Sequence, residues 1–252
     1  MLRIKKKDAV TSLILDRPER RNALNVDMIG ALSAALARAD ADVRCRCVVI
    51  KGAGDHFCSG RELAAGGRCR DLDAVLAYDD AYCKIFQRLQ MLSKPSVAVV
   101  RGYAVAGGFT LAMACDFVLA EENAKFGALE MKNGFPAAVN TAVLSHLIGR
   151  RRALELLLIG DIATARELFE FGLINRMAPN VKALAEVESA FVLKLAALDA
   201  LAVRLTKETQ RAVVNMPLSD ALAVGKQLNA LLMASGRIDE AARSHASRRR
   251  RN

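Results

Sequence analysis

Long apolar runs are missing from this chain. Although 53% of its residues are hydrophobic, charges interrupt every stretch before the roughly 18 apolar residues that a membrane-spanning helix needs, and a transmembrane helix is excluded. Histidine is scarce: there are three in 252 residues, and none pairs with cysteine at ligand spacing, which removes the usual zinc frameworks. The cysteines at 45, 47, 58, 69, 83 and 115 are too scattered for a disulfide framework in a chain of this length and read as reduced thiols. Cys45 and Cys47 lie in the strand-like run Cys45–Ile50, where they are expected to share one sheet face as core residues. The basic start Met1–Lys7 is followed by no apolar segment and no small-residue cleavage site, so a cytoplasmic protein is expected. Tyrosine and phenylalanine stop at Phe191. Arg248–Arg251, which carry four of the +10 net charge, therefore have no aromatic neighbours on which bases would stack. The tail reads as a solvated terminus, and the remaining moderate positive charge suits a phosphorylated small molecule as well as a polymer.

What is present is a recurrence of strand, loop and helix. Val10–Leu15 is a strand stopped by Asp16-Arg17-Pro18. Asn25 is placed to cap a helix whose apolar stripe runs through Met28, Ile29, Leu32, Ala35 and Leu36. Cys47–Ile50 is a short buried strand, Leu72–Leu92 a long helix broken by Pro95, Ser96–Val100 a strand, Phe109–Ala114 a helix and Asp116–Ala120 another buried strand. This order predicts an α/β fold with right-handed crossovers. Beyond about residue 140 the periodicity turns helical, through 151–158, 163–171, 182–198, 200–216 and 218–233. These helices carry more apolar faces than a self-contained bundle needs, so subunit contacts are expected.

Two glycine-rich turns follow predicted strands. Gly52-x-Gly54 begins like a dinucleotide fingerprint, but Phe57 stands where the third glycine belongs and no helix opens there. Neither turn contains Gly-Lys-Ser/Thr, so the phosphate-binding P-loop is absent too. Both turns offer small residues beside which a backbone N–H can approach a ligand closely. The second, Tyr103–Gly108, runs into a helix, whose first N–H groups are unpaired and favour negative charge. Two such donors would make an oxyanion hole for a developing enolate.

Taken together, several segments resemble the crotonase (enoyl-CoA hydratase/isomerase) superfamily: Leu15–Asn25, Gly52–Leu63, Arg101–Gly108 continuing through Ala112–Asp116, Phe126–Glu130 with Gly134, and Gly160-Asp161 with Glu167 and Gly172–Ile174. The resemblance implies a crotonase-like spiral of ββα units over residues 1–195 with the acyl-CoA site, a C-terminal helical region over 196–252, and a homotrimer or hexamer. It implies an acyl-CoA thioester as substrate, with coenzyme A arriving as part of it and no separate cofactor. Arg61 and Gly107 would give their N–H groups to the thioester oxygen, leaving the Arg61 guanidinium for a CoA phosphate, for solvent or for a structural contact, and Glu130 would be the acid/base. Arg21 and Ala23, then Cys58, Gly60, Glu62 and Leu63, then Tyr103, Gly108 and Thr110 would surround the substrate, with Arg20 and Arg21 attracting CoA phosphates. The pattern departs from that of the hydratases at Thr110, which stands where their first catalytic glutamate belongs. The segment Gly134–Ala138 also comes out about one residue short. A single carboxylate favours isomerase-like proton transfer. A hydratase with a Thr110-positioned water, or an acyl-CoA- or RNA-binding member without catalysis, is the alternative.

Overall fold

Alternation of apolar side chains decides how the strands are buried. The computed structural model describes residues 1–62 and 71–237. The chain divides into one compact unit, Met1–Ala200, and another, Leu201–Asn252. In chain order the elements are β1 (Leu2–Lys7), β2 (Val10–Leu15), α1 (Val26–Ala41), β3 (Cys47–Gly52), α2 (Leu72–Met91), β4 (Ser96–Val100), β5 (Tyr103–Val105), α3 (Gly107–Met113), β6 (Phe117–Glu121) and β7 (Lys125–Gly127). They continue with α4 (Ala138–Leu147), α5 (Arg150–Leu158), β8 (Ala163–Thr164), α6 (Ala165–Glu170), β9 (Arg176–Ala178), α7 (Val181–Ala196), α8 (Ala200–Val213) and α9 (Leu218–Ala234). The mixed α/β class expected from the sequence is the one the chain adopts.

Six strands form one sheet in the order β1-β2-β3-β4-β6-β9, antiparallel only at the β1–β2 hairpin and parallel thereafter. Both faces are covered, as parallel sheets require. Val48, Ile50, Ala98 and Val100 point into a core shared with α1 and α2. The intervening Cys47, Val49, Val97 and Val99 meet Leu184 and Val192 of α7 on the other face. Cys45 corrects the sequence expectation. The strand begins at Cys47, so the two-residue period does not reach back to Cys45, which packs in the α1–α2 core while Cys47 packs against α7. Both are buried as core residues. The free edge β1 exposes Lys5, Lys6 and Lys7.

Asn25 caps α1 by accepting from the Met28 N–H at 2.9 Å, and the expected stripe of Met28, Ile29, Leu32, Ala35 and Leu36 is buried. In α2, Tyr82, Ile85 and Leu89 are buried at helical spacing. A second sheet, β5-β7-β8, is made of strands two or three residues long. No helix of the described residues is long and apolar enough to cross a membrane. In the second unit, α9 lies entirely within the described residues and buries none of its own. The Arg248–Arg251 tail lies outside the described residues.

Candidate active site

Adjacent parallel strands bring the two glycine turns together. β3 and β4 pair side by side, so the segments leaving their carboxyl ends, where α/β sheets gather ligands, run alongside each other. Cys58 bridges to Ala104 and Leu24 to Arg61. The Cys58 N–H donates to the Tyr103 carbonyl and the Val105 N–H to the Cys58 carbonyl.

Gly60 takes φ +100°, and an added Cβ would stand 2.9 Å from both the Ala106 methyl carbon and the Gly107 nitrogen. A Cβ on Gly107 would reach 2.3 Å from the Tyr82 hydroxyl and 3.2 Å from the Arg61 nitrogen. The backbone N–H groups of Arg61 and Gly107 are therefore neighbours, and among the described residues neither donates to a protein acceptor. Ala106 caps α3 in an unusual conformation, φ 49° and ψ −126°, which turns the chain so that the Gly107 N–H opens the helix. Its own N–H is taken by the Gly127 carbonyl at 2.8 Å. That bond, with the β5–β7 pairing of Val105 to Gly127, fixes the end of β7, and Glu130 follows three residues later.

Glu130 sits at the head of a short turn of 3₁₀ helix, Met131–Asn133, closed by Gly134 in the left-handed conformation. Its Oε1 accepts from Asn140 Nδ2 at 3.0 Å, whereas its Oε2 is buried without a hydrogen-bond partner. Burial pushes the carboxyl above the usual glutamate range, and its own backbone N–H and then the Asn140 amide pull the other way. A buried unpaired carboxylate oxygen is costly, and here it marks a place where a proton or a ligand is to be met.

Asn140, on α4, escaped the sequence reading. A single asparagine among Ala138, Val139, Thr141 and Ala142 gives no periodic signal; the only cue is a buried polar residue, visible once the fold is known. Its Nδ2 also donates to the Ala106 carbonyl at 3.2 Å, and its Oδ1 accepts from the Thr110 hydroxyl at 2.8 Å. Desolvation drives the phenol of Tyr82 far above the ordinary range, with Thr110 pulling the other way. Thr110 and Asn140 are each 1% exposed.

The remaining residues named from the sequence form a rim. The Arg61 guanidinium pairs with Asp79 and stands over the rings of Tyr78 and Tyr82 at 5.0 and 5.3 Å. The Glu62 carboxylate is held by Arg17 at 3.0 Å, below its usual pKa range by that bond, and Arg17 also donates to the Ala23 carbonyl at 2.8 Å. Arg21 lies 5.9 Å from the centre of the half-exposed Tyr103 ring. Cys58 is buried, donates to the Asn22 carbonyl at 3.2 Å, and desolvation pushes its thiol up to about 12. Gly108 lies against the Cys58 carbonyl. Asn22, fully buried, ties the Leu15–Asn25 segment to the first turn by donating to the carbonyls of Ala53 and His56 at 2.8 and 2.7 Å and accepting from the Arg17 N–H at 3.0 Å. The structure thus gathers Arg61, Gly60, Gly107, Gly108, Cys58 and Thr110 around one turn, with Glu130 joined to it through Asn140. Leu63 and residues 64–70 lie outside the described residues.

Comparison with known proteins converges on one family. The model of the enoyl-CoA hydratase/isomerase family matches residues 5–252. A Thermus thermophilus protein with a provisional enoyl-CoA hydratase name is 38% identical over 245 residues, 96% of each chain. The 2,3-dehydroadipyl-CoA hydratase of Escherichia coli is 34% identical over 92% of this chain and 90% of its own. The crystal structure of an enoyl-CoA hydratase from Mycobacterium smegmatis superposes with a TM-score of 0.89 at 27% identity, covering 98% of this chain and 96% of the other. The chain belongs to the enoyl-CoA hydratase/isomerase family of the crotonase superfamily, whose members act on acyl-CoA thioesters.

Proposed function

We propose that this enzyme moves a proton at the carbon next to a CoA thioester, or between that carbon and the γ-carbon, with Glu130 as its single acid/base. The observation that carries the reading is the state of the Glu130 carboxylate: one oxygen is fastened by Asn140 and the other is buried and unpartnered. In this reading the adjacent N–H groups of Arg61 and Gly107 form the oxyanion hole, hold the thioester oxygen and take up the charge of the enolate, a donor of this kind contributing about 3–4 kcal/mol to the transition state. Coenzyme A arrives as part of the substrate, with Arg20, Arg21 and Ala23 on the side where its nucleotide end would lie. Thr110 supports the same conclusion. Its one proton goes to Asn140 at 2.8 Å, with the Ala106 carbonyl a more distant acceptor at 3.4 Å, so it is a poor holder for a nucleophilic water.

Efficient hydration needs a second group to activate water, whereas proton exchange needs one base and a stabilised enolate. The test is to incubate crotonyl-CoA in deuterated buffer and follow deuterium uptake beside 3-hydroxybutyryl-CoA formation. Uptake exceeding hydration is expected, and Glu130→Gln should lower it by about 10²- to 10⁴-fold with little change in CoA affinity. Hydration outrunning exchange, or full activity in Glu130→Gln, would sink the reading. Leu218, Leu222, Leu231 and Met233 of α9 are all exposed, which supports a further part of the proposal, that copies of this chain assemble as a trimer or a pair of trimers. Light scattering that finds a stable monomer at micromolar concentration would remove that part.

A further inference from the structure

We propose that Asn140 is the positioning residue that commits this site to proton transfer: it ties Thr110 to Glu130, aims the free carboxylate oxygen, and fills the place that an activated water would need. This rests on the single-base reading above and names the residue that sets its specificity.

The orientation of the Asn140 amide is dictated by its neighbours. Two acceptors, the Ala106 carbonyl and Glu130 Oε1, face its nitrogen, and the Thr110 hydroxyl faces its oxygen. Both amide protons are thereby used, and the flipped amide would set oxygen against oxygen twice. The Thr110 proton is committed as well, so the bonds run in one direction, from Thr110 to Asn140 to Glu130. With Asn140 and Thr110 each 1% exposed, no solvent-filled space separates them. A water admitted there would have to break one of these bonds and leave a buried polar group unsatisfied, at a cost comparable to the bond lost. The same network makes the two oxygens of Glu130 unequal: Oε1 is occupied, and Oε2 is the acceptor left for a substrate proton.

The groups around Glu130 limit what else could hold it ionised. From α2 comes Tyr82, whose phenol feels the Glu130 charge; on its own turn Lys132 is engaged by Asp161 at 2.6 Å. Among the described residues no cation offsets its burial, and after its own backbone N–H the Asn140 amide is what favours the charged form.

Asn140→Ala and the isosteric Asn140→Asp test the proposal, with two readouts that packing alone would not move: the titration midpoint of the ¹³C-labelled Glu130 carboxyl, and the ratio of hydration to exchange on crotonyl-CoA. Loss of the donor should raise the midpoint, and with it the acid limb of kcat/KM for exchange, by about one pH unit. Exchange kcat should fall by about 10- to 100-fold with KM nearly unchanged, and the hydration ratio should rise as room for water opens. Asn140→Asp keeps the size of the side chain, so it carries the titration test even if the alanine variant folds poorly. It should raise the midpoint further, since two carboxyls then share one site. An unmoved midpoint and ratio alongside an inactive Glu130→Gln would overturn the role of Asn140 and leave the single-base reading standing. A fully active Glu130→Gln would overturn the single-base reading itself.

Discussion

The two sheets of this molecule are built on opposite principles. The six-stranded sheet alternates its side chains between two cores and shields both faces, so its residues contribute burial and little chemistry. The three-stranded sheet has strands of two or three residues; it buries Ala104, Phe126 and Ala163, but its distinctive work is positional, since the β5–β7 pairing and the bond from the Ala106 N–H to the Gly127 carbonyl hold the start of α3 against the end of β7, three residues before Glu130. Stability and reactivity are therefore separable by position, and substitutions in the two sheets should fail in different ways.

The largest effect on folding belongs to the large sheet. Ile50→Ala, at a fully buried position in β3, should cost about 2–5 kcal/mol of unfolding free energy while the folded fraction keeps its exchange kcat. Urea titration and specific activity per folded molecule measure the two sides, and a large loss of kcat in the folded fraction would erase the distinction. Gly60→Ala should come next. Its strained φ and the crowding against Ala106 and Gly107 imply about 1–3 kcal/mol of destabilisation, and here activity should fall with stability because the two N–H groups are pushed apart. The smallest effect is expected from Ala106→Gly, which relieves a positive φ at the expense of about 0.5–1 kcal/mol of unfolded-chain entropy. Its stability should stay level or rise by about 1 kcal/mol. A clear loss would show that the Ala106 methyl, packed on Gly60, matters more than the strain.

These differences also explain what the sequence disclosed. Strands β2, β3, β4 and β6 of the large sheet and the helices α1, α2 and α7 stood out because burial writes a period of two or 3.6 into four or more residues, whereas β9, three residues long, was lost in the helical pattern beyond residue 140. Met28, Leu32 and Leu36 on one helix face, and Ser96–Val100 after Pro95, are such cases. β1 did not stand out, because an edge strand of Lys5, Lys6 and Lys7 reads as a charged run. β5, β7 and β8 are too short to carry any period, and α4 showed no polar face that would have announced Asn140. In the candidate site, the glycines and Glu130 were readable through the family resemblance, and the departure at Thr110 was readable with them. The bond that makes the departure meaningful joins residues 30 apart in sequence and has no local signature. The pairing of the Arg61 guanidinium with Asp79 had no local signature either, because Asp79 lies on α2, 18 residues further along the chain.

Asn22 has a consequence for how tightly this enzyme can hold its ligand. By fastening the backbone of the first turn from a buried position in the preceding loop, it makes two segments that flank the proposed thioester site a single piece before any ligand arrives. Ordering a backbone residue costs about 1–2 kcal/mol, and a loop that had to freeze around each incoming thioester would subtract that sum from affinity at every encounter. Here the entropy is surrendered once, when the chain folds. Under the proposed function, contacts made with the acyl-CoA can then appear undiminished in binding, and the Arg61 N–H at the end of that loop is already held beside the Gly107 N–H.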